Sequence, residues 1–230
     1  MARAVAIIPA RGGSKRIPRK NIKLFHGKPL IAYSIDIALQ SGLFTDVIVS
    51  TDDEEIAQIA KKYGAKVPFI RPKELSGDFM GTKEVIEHAL EYLKLNKYEY
   101  VCTIYATAPL LEKKYLIDGF EKLKVSSAIN AFSATSMPFP IQRTFKITDN
   151  NRCEMFFPEH YRTRSQDLEE AYQDAGQFYW KRIGIESKEI MFGLDSIPII
   201  LPRYLVQDID TMEDWERAEL LYQVIKSKKG

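Results

Sequence analysis

One stretch near the start limits what this chain can become more than any other. Ala4-Val5-Ala6-Ile7-Ile8-Pro9-Ala10 runs directly into Arg11-Gly12-Gly13-Ser14-Lys15-Arg16-Ile17-Pro18-Arg19-Lys20-Asn21. The apolar run from Val5 to Ile8 has the character of a strand buried on both faces of a parallel sheet. The loop after it is the opposite: five of its eleven residues are Arg or Lys, none is acidic, and two glycines are adjacent. Paired glycines let a backbone approach a ligand without a Cβ in the way. Successive N–H groups in such a turn form an anion-binding concavity, and Arg and Lys around it neutralise several negative charges. The carboxyl end of a first strand is where an open α/β sheet binds its ligand. The stretch therefore predicts a site for a polyanionic small molecule, a nucleoside triphosphate above all. The competing reading is a solvated basic surface. The pattern is neither a Walker loop nor Gly-x-Gly-x-x-Gly.

The length of 230 residues suits a single α/β domain over residues 1–230. The net charge of +2 makes the basic loop a local feature and argues against a nucleic-acid binder. Two cysteines, Cys102 in an apolar run and Cys153 in a polar one, predict no disulfide and fit a reducing cytoplasm. No stretch has the length of a membrane span, and the first apolar run is too short for a signal peptide.

The alternation of elements predicts a doubly wound fold. A helix is expected after Lys28, with Pro29 at its first position and Gly42 at its stop. Asp46 to Thr51 reads as a second buried strand, followed by a helix from about Glu54 to Tyr63 and a short third strand over Val67 to Ile70. A Gly- and Ser-containing loop, Glu74 to Gly81, leads to Thr82 as a helix cap. Tyr100 to Tyr105 is the next strand, then a helix over about Lys113 to Lys124 and a strand over Ala128 to Ala134. Between residues 135 and 175 the rhythm fails, and Pro, Arg and aromatic residues accumulate. This predicts a β-rich insertion, either an interaction surface lining part of the site or an ordinary long connection. A final helix is expected from about Thr211 to Lys226.

Asp208-Ile209-Asp210 is the second notable feature. In an extended backbone both carboxylates share one face and Ile209 takes the other. Such a pair suits Mg²⁺, which takes oxygen ligands and completes its shell with water and substrate phosphates. Asp210 could equally be the N-cap of the last helix. Arg71 ends the third expected strand on the ligand side. Arg143, Arg162 and Arg164 fall in the insertion, where Arg could pair bidentately with a carboxylate or simply face solvent.

Ile7-Ile8-Pro9-Ala10-Arg11-Gly12-Gly13-Ser14-Lys15 with Pro18-Arg19-Lys20-Asn21 resembles the signature of the CMP-sialic acid synthetase family of cytidylyltransferases. These enzymes join CMP from CTP to a nine-carbon acidic sugar. The resemblance runs from Ala4 to about Ala218. In the second half, Phe132 to Arg143, Tyr161 to Leu168 and Asp174 to Tyr179 look most like the pseudaminic acid branch. It implies a Rossmann-like, mostly parallel sheet of the nucleotide-diphospho-sugar transferase type, with the insertion as a dimerisation element of a cytoplasmic homodimer. It implies that Ala10, Arg11, Gly12, Gly13, Ser14, Asn21, Arg71 and Thr82 hold the nucleotide. Arg11, Lys15 and Lys20 would neutralise charge on the transferred and leaving phosphates, and Gln142, Arg143 and Arg164 would face the sugar. Asp208 and Asp210 would hold Mg²⁺. One departure stands out: sialic acid enzymes have Gln-Pro after the fourth strand, where this chain has Tyr105-Ala106-Thr107-Ala108-Pro109.

The resemblance thus implies transfer of CMP from CTP to pseudaminic acid, a nonulosonic acid, with release of diphosphate, for surface glycan or flagellin glycosylation; no nucleic acid or membrane partner is expected. Legionaminic or N-acetylneuraminic acid are alternative acceptors. A nicotinamide-binding oxidoreductase is a different class of reading, with Asp52 or Asp53 holding a ribose, but the missing third glycine counts against it.

Overall fold

A computed structural model describes residues 3–77, 80–94, 97–185 and 191–228. The first strand, β1 (Ala4–Pro9), is buried along nearly its whole length. Ala4, Ala6 and Ile8 face one core, while Val5 and Ile7 face another on the opposite side. That two-sided burial explains why the run is continuously apolar rather than alternating. A small hairpin of β2 (Leu24–Phe25) and β3 (Lys28–Pro29) follows the basic loop. Then come α1 (Leu30–Ser41), β4 (Phe44–Ser50), α2 (Glu54–Lys62), α3 (Thr82–Tyr92), β5 (Tyr100–Ile104), α4 (Lys113–Val125) and β6 (Asn130–Ser136). Pro29 is the residue before α1 rather than its first, and Gly42 closes that helix in the left-handed region at φ 68°.

After β6 the chain leaves the main sheet and forms the antiparallel pair β7 (Phe145–Ile147) and β8 (Cys153–Met155). It returns as β9 (Tyr172–Arg182), then β10 (Ser196–Ile200), and ends in α5 (Met212–Ser227). The six-stranded sheet has the order β10-β6-β9-β5-β1-β4. β9 is antiparallel to β5 and β6, and the other neighbours are parallel. Because β4 and β5 lie on either side of β1, the sheet reverses direction of winding there. The crevice at the carboxyl ends of β1 and β5 is the site this topology makes available.

The segment expected as a third strand, Val67 to Ile70, is not one. The residue before it, Lys66, makes a single parallel bridge to Ile48. Pro68 cannot donate to a ladder, so pairing stops there. The backbone still follows the edge of β4, and the Arg71 N–H reaches the Thr51 carbonyl at 2.7 Å. Asp78 and Phe79 of the following loop lie outside the described residues. Both cysteines are free, Cys102 buried and Cys153 exposed. Burial pushes the Cys102 thiol well up, so it packs as an inert core residue.

At the opposite end of the sheet Asp46 is buried, 5% exposed. Burial works against its charge, but hydrogen bonds from Lys66, Lys97 and Tyr98 outweigh that and hold it at about 2 rather than 3.8. A carboxylate depressed on folding stabilises the fold above its unfolded value and loses that contribution as pH falls through the folded one. Asp46→Asn should therefore lower stability by about 1–2 kcal/mol at pH 7. In chemical-denaturation curves the gap to the unmodified protein should close as pH drops from about 4 towards about 2.

Candidate active site

The basic loop lies across the carboxyl end of β1. Three features hold it. Ile17 is fully buried with Phe25, Leu30, Tyr33, Trp215 and Ala218, which pins the loop's centre to α1 and α5. The Asn21 amide donates from Nδ2 to the Arg11 carbonyl at 3.0 Å, closing the loop on itself. The Gly12 N–H donates to Asp52 Oδ1 at 2.9 Å. Gly12 has to be glycine, because a Cβ there would stand 2.7 Å from Asp53 Oδ2. Gly13 has open space around it, so only one of the two glycines answers a close approach.

The loop forms one wall of a cavity of about 360 Å³. Of the residues expected at a nucleotide, Arg11, Ser14, Lys15, Lys20, Asn21, Arg71 and Thr82 line it, and so do Asp208 and Asp210. Ala10 is buried behind the wall. Arg71 is 4% exposed, an unusual setting for a guanidinium. Burial and the neighbouring Arg11 depress its pKa, while Asp52, 3.8 Å away, works the other way. An anion entering the cavity would relieve both the desolvation and the repulsion.

Asp208 and Asp210 reach the cavity because Ile209 between them is fully buried in the cluster under α5. The helix start is capped by Thr211, whose side chain accepts from the Asp214 N–H while Asp214 returns the contact. Asp210 is therefore not the cap, and its carboxylate is free to face inward. Burial, then Asp210, raises the pKa of Asp208. Asp210 meets Arg16 at 2.9 Å and Lys20 at 3.4 Å, and Lys20 also donates to the Ile209 carbonyl. Two convergent carboxylates with one disfavoured by the other suit a divalent cation.

Thr82 is the first residue of α3 rather than its cap, a place taken by Gly81. Its hydroxyl lies 3.3 Å from the Tyr105 hydroxyl. Tyr105, the first residue after β5, lines the cavity. Its ring sits 5.4 Å from that of Tyr179, whose hydroxyl donates to Asp174. Burial raises the Tyr179 pKa, so a neutral ring backs Tyr105.

The three residues expected at the sugar are not at this cavity within the chain. Arg164 pairs with Asp167 at 2.7 Å, Arg143 donates to the Thr163 carbonyl, and Gln142 donates to the Glu169 carbonyl at 3.3 Å. All three lie in the segment between β6 and β9. Arg16, Ser76 and Thr107 line the cavity without having been singled out. Arg16 was masked by its more conspicuous basic neighbours. Ser76 and Thr107 sit in loops whose composition marks a loop but not a ligand.

The parallel sheet reversing at β1, a basic loop over its end and two carboxylates opposite define a nucleotide-binding transferase of the α/β class. The cytidylyltransferase family model matches residues 5–223, and the chain belongs to that family. It is 50% identical over 224 residues to the pseudaminic acid cytidylyltransferase of Campylobacter jejuni, with 96% of each chain covered. It is 33% identical to the CMP-N,N'-diacetyllegionaminic acid synthase of Legionella pneumophila, over 96% of this chain and 97% of that one. Among solved structures, CMP:2-keto-3-deoxy-manno-octonic acid synthetase complexed with CTP superposes with a TM-score of 0.69 at 16% identity, covering 96% of this chain and 99% of the other. That likeness concerns the fold.

Proposed function

We propose that the protein transfers CMP from CTP to pseudaminic acid, giving CMP-pseudaminic acid and diphosphate. The observation that carries the reading is one cavity lined by Arg11, Lys15, Lys20 and Arg71 on one side and by Asp208 and Asp210 on the other. The similarity to the Campylobacter jejuni enzyme, well above that to the legionaminic acid synthase, supports the sugar. A flagellin modification protein from Campylobacter coli, 30% identical over 227 residues, supports surface glycosylation as the use of the product.

In this reading the anomeric hydroxyl of the sugar attacks the α-phosphorus, and the bond to the β-phosphate breaks. Such a transfer depends on alignment and charge stabilisation more than on covalent chemistry by the protein. Arg11, Lys15 and Lys20 take up charge on the leaving diphosphate. Arg71 and Asn21 orient the nucleotide, and Thr82 with Tyr105 bounds the far side of the cavity. Asp208 and Asp210 would hold Mg²⁺, which supplies charge neutralisation at the phosphates.

The reading extends to assembly. Phe139, Ile147 and Tyr161 are 77%, 71% and 68% exposed on the segment between β6 and β9, an apolar surface that suits a second copy. In this reading the protein is a homodimer in which Gln142, Arg143 and Arg164 of one copy serve the sugar, and sedimentation velocity at micromolar concentration tests for the dimer. The chemistry is tested by incubating the protein with CTP, pseudaminic acid and Mg²⁺. A product with the mass of the CMP-sugar and one equivalent of diphosphate is expected, and EDTA should stop its formation. Diphosphate release without that product would contradict the proposal.

A further inference from the structure

We propose that Asp52 and Asp53, the acidic pair after β4, are positioning residues that tether both ends of the basic loop and hold it ready for a triphosphate. Neither carboxylate lines the cavity, and each instead accepts from the loop. Five cations in eleven residues repel one another, and an untethered loop would spread before an anion arrived. Asp52 accepts the Gly12 N–H at 2.9 Å through Oδ1, and the same oxygen lies 3.8 Å from Arg71 Nη2. It therefore fixes the start of the loop and the buried guanidinium together.

Asp53 takes the other end. It accepts from Arg19 Nη2 at 3.0 Å, and Arg19 stands in the left-handed region at φ 56°. Asp53 is itself fixed, because its Oδ1 also accepts from the Ile56 N–H at 3.0 Å and caps α2. Glu55 reinforces the grip on Arg19. The loop is thus tied to the first turn of a helix whose position the sheet dictates.

The proposal separates cleanly from simple electrostatics. Two negative charges behind a polyanion site oppose binding, so their removal should tighten it if charge alone mattered. A tether predicts the reverse for Asp52→Ala and little change for Asp52→Asn, which keeps Oδ1 as an acceptor and loses only the charge. The proposal rests on the triphosphate reading of the loop, and binding of inorganic triphosphate to the full chain, measured by calorimetry without metal, tests it independently of turnover. Asp52→Ala should bind about tenfold more weakly than the unmodified protein and Asp52→Asn within about threefold. In pyrophosphate-release assays the Asp52→Ala variant should show a raised KM for CTP with an unchanged KM for the sugar. Should Asp52→Ala not fold, Asp53→Asn serves: it puts an amide donor where Asp53 Oδ2 accepts from Arg19 Nη1, and about fivefold weaker triphosphate binding is expected. Binding equal to or tighter than that of the unmodified protein in the folded Ala or Asp53→Asn variant overturns the tether. Failure of the cytidylyl-transfer reading looks different: the unmodified protein would bind triphosphate and release no diphosphate.

Discussion

Asp210→Ala is expected to lower diphosphate release by about a thousandfold or more while leaving the fold intact. The two halves of that expectation have separate grounds. Asp210 faces the cavity beside Asp208, and the raised pKa of Asp208 comes from burial and from Asp210 itself. Losing one carboxylate would halve the acidic pair that lines the cavity among the described residues and remove the carboxylate that Arg16 and Lys20 meet. The backbone, however, is held by others. Ile209 is fully buried, and Thr211 and Asp214 form the capping box that starts α5. Asp210 contributes only partly exposed ion pairs, worth at most about 1 kcal/mol. Initial rates with saturating CTP, pseudaminic acid and Mg²⁺, beside a thermal melt, check both halves. Activity within tenfold of the unmodified protein would remove the metal assignment.

Lys20→Met is the second large effect, a loss of about a hundred- to a thousandfold in kcat. Lys20 lies at the end of the basic loop, yet its ammonium reaches the Ile209 carbonyl and stands 3.4 Å from Asp210. With Arg16 it joins the positive wall of the cavity to the negative one, and it is the less exposed of the two. When phosphates arrive, the ammonium is already oriented and only exchanges partners. Lys20→Arg keeps the charge but spreads it over a planar fork, so it should restore only part of the rate. The fall should appear in kcat more than in the KM for CTP, because Arg11, Lys15 and Arg71 remain to bind the triphosphate. A loss confined to KM would place Lys20 in ground-state binding only.

Much of this site is legible in the sequence, for definite reasons. β1 and its loop announce themselves because two-sided burial and a cationic turn are extreme and adjacent. Asp208-Ile209-Asp210 is legible because period-2 alternation needs only an extended backbone, and the burial of Ile209 supplies it. Other features depend on contacts distant in sequence. Nothing local reveals that Asp52 faces Gly12, 40 positions earlier, or that Lys20 meets Asp210 across 190. Val67 to Ile70 is apolar as a third strand would be, yet Pro68 ends the pairing after the one bridge at Lys66. Thr82 looks like a cap by residue type, but Gly81 takes that place and leaves the hydroxyl to Tyr105. Gln142, Arg143 and Arg164 were expected at the sugar by residue type, but they bond within the segment between β6 and β9, a placement that local pattern does not reveal.

The most direct test of the central claim is diphosphate release with Mg²⁺, each of the four ribonucleoside triphosphates, and pseudaminic, legionaminic or N-acetylneuraminic acid in turn. Release with CTP and pseudaminic acid, and at least about a hundredfold less with any other pairing, is the predicted result. Equal or faster release with another acid would contradict the assignment of the sugar, and release with a different triphosphate would contradict the assignment of the nucleotide.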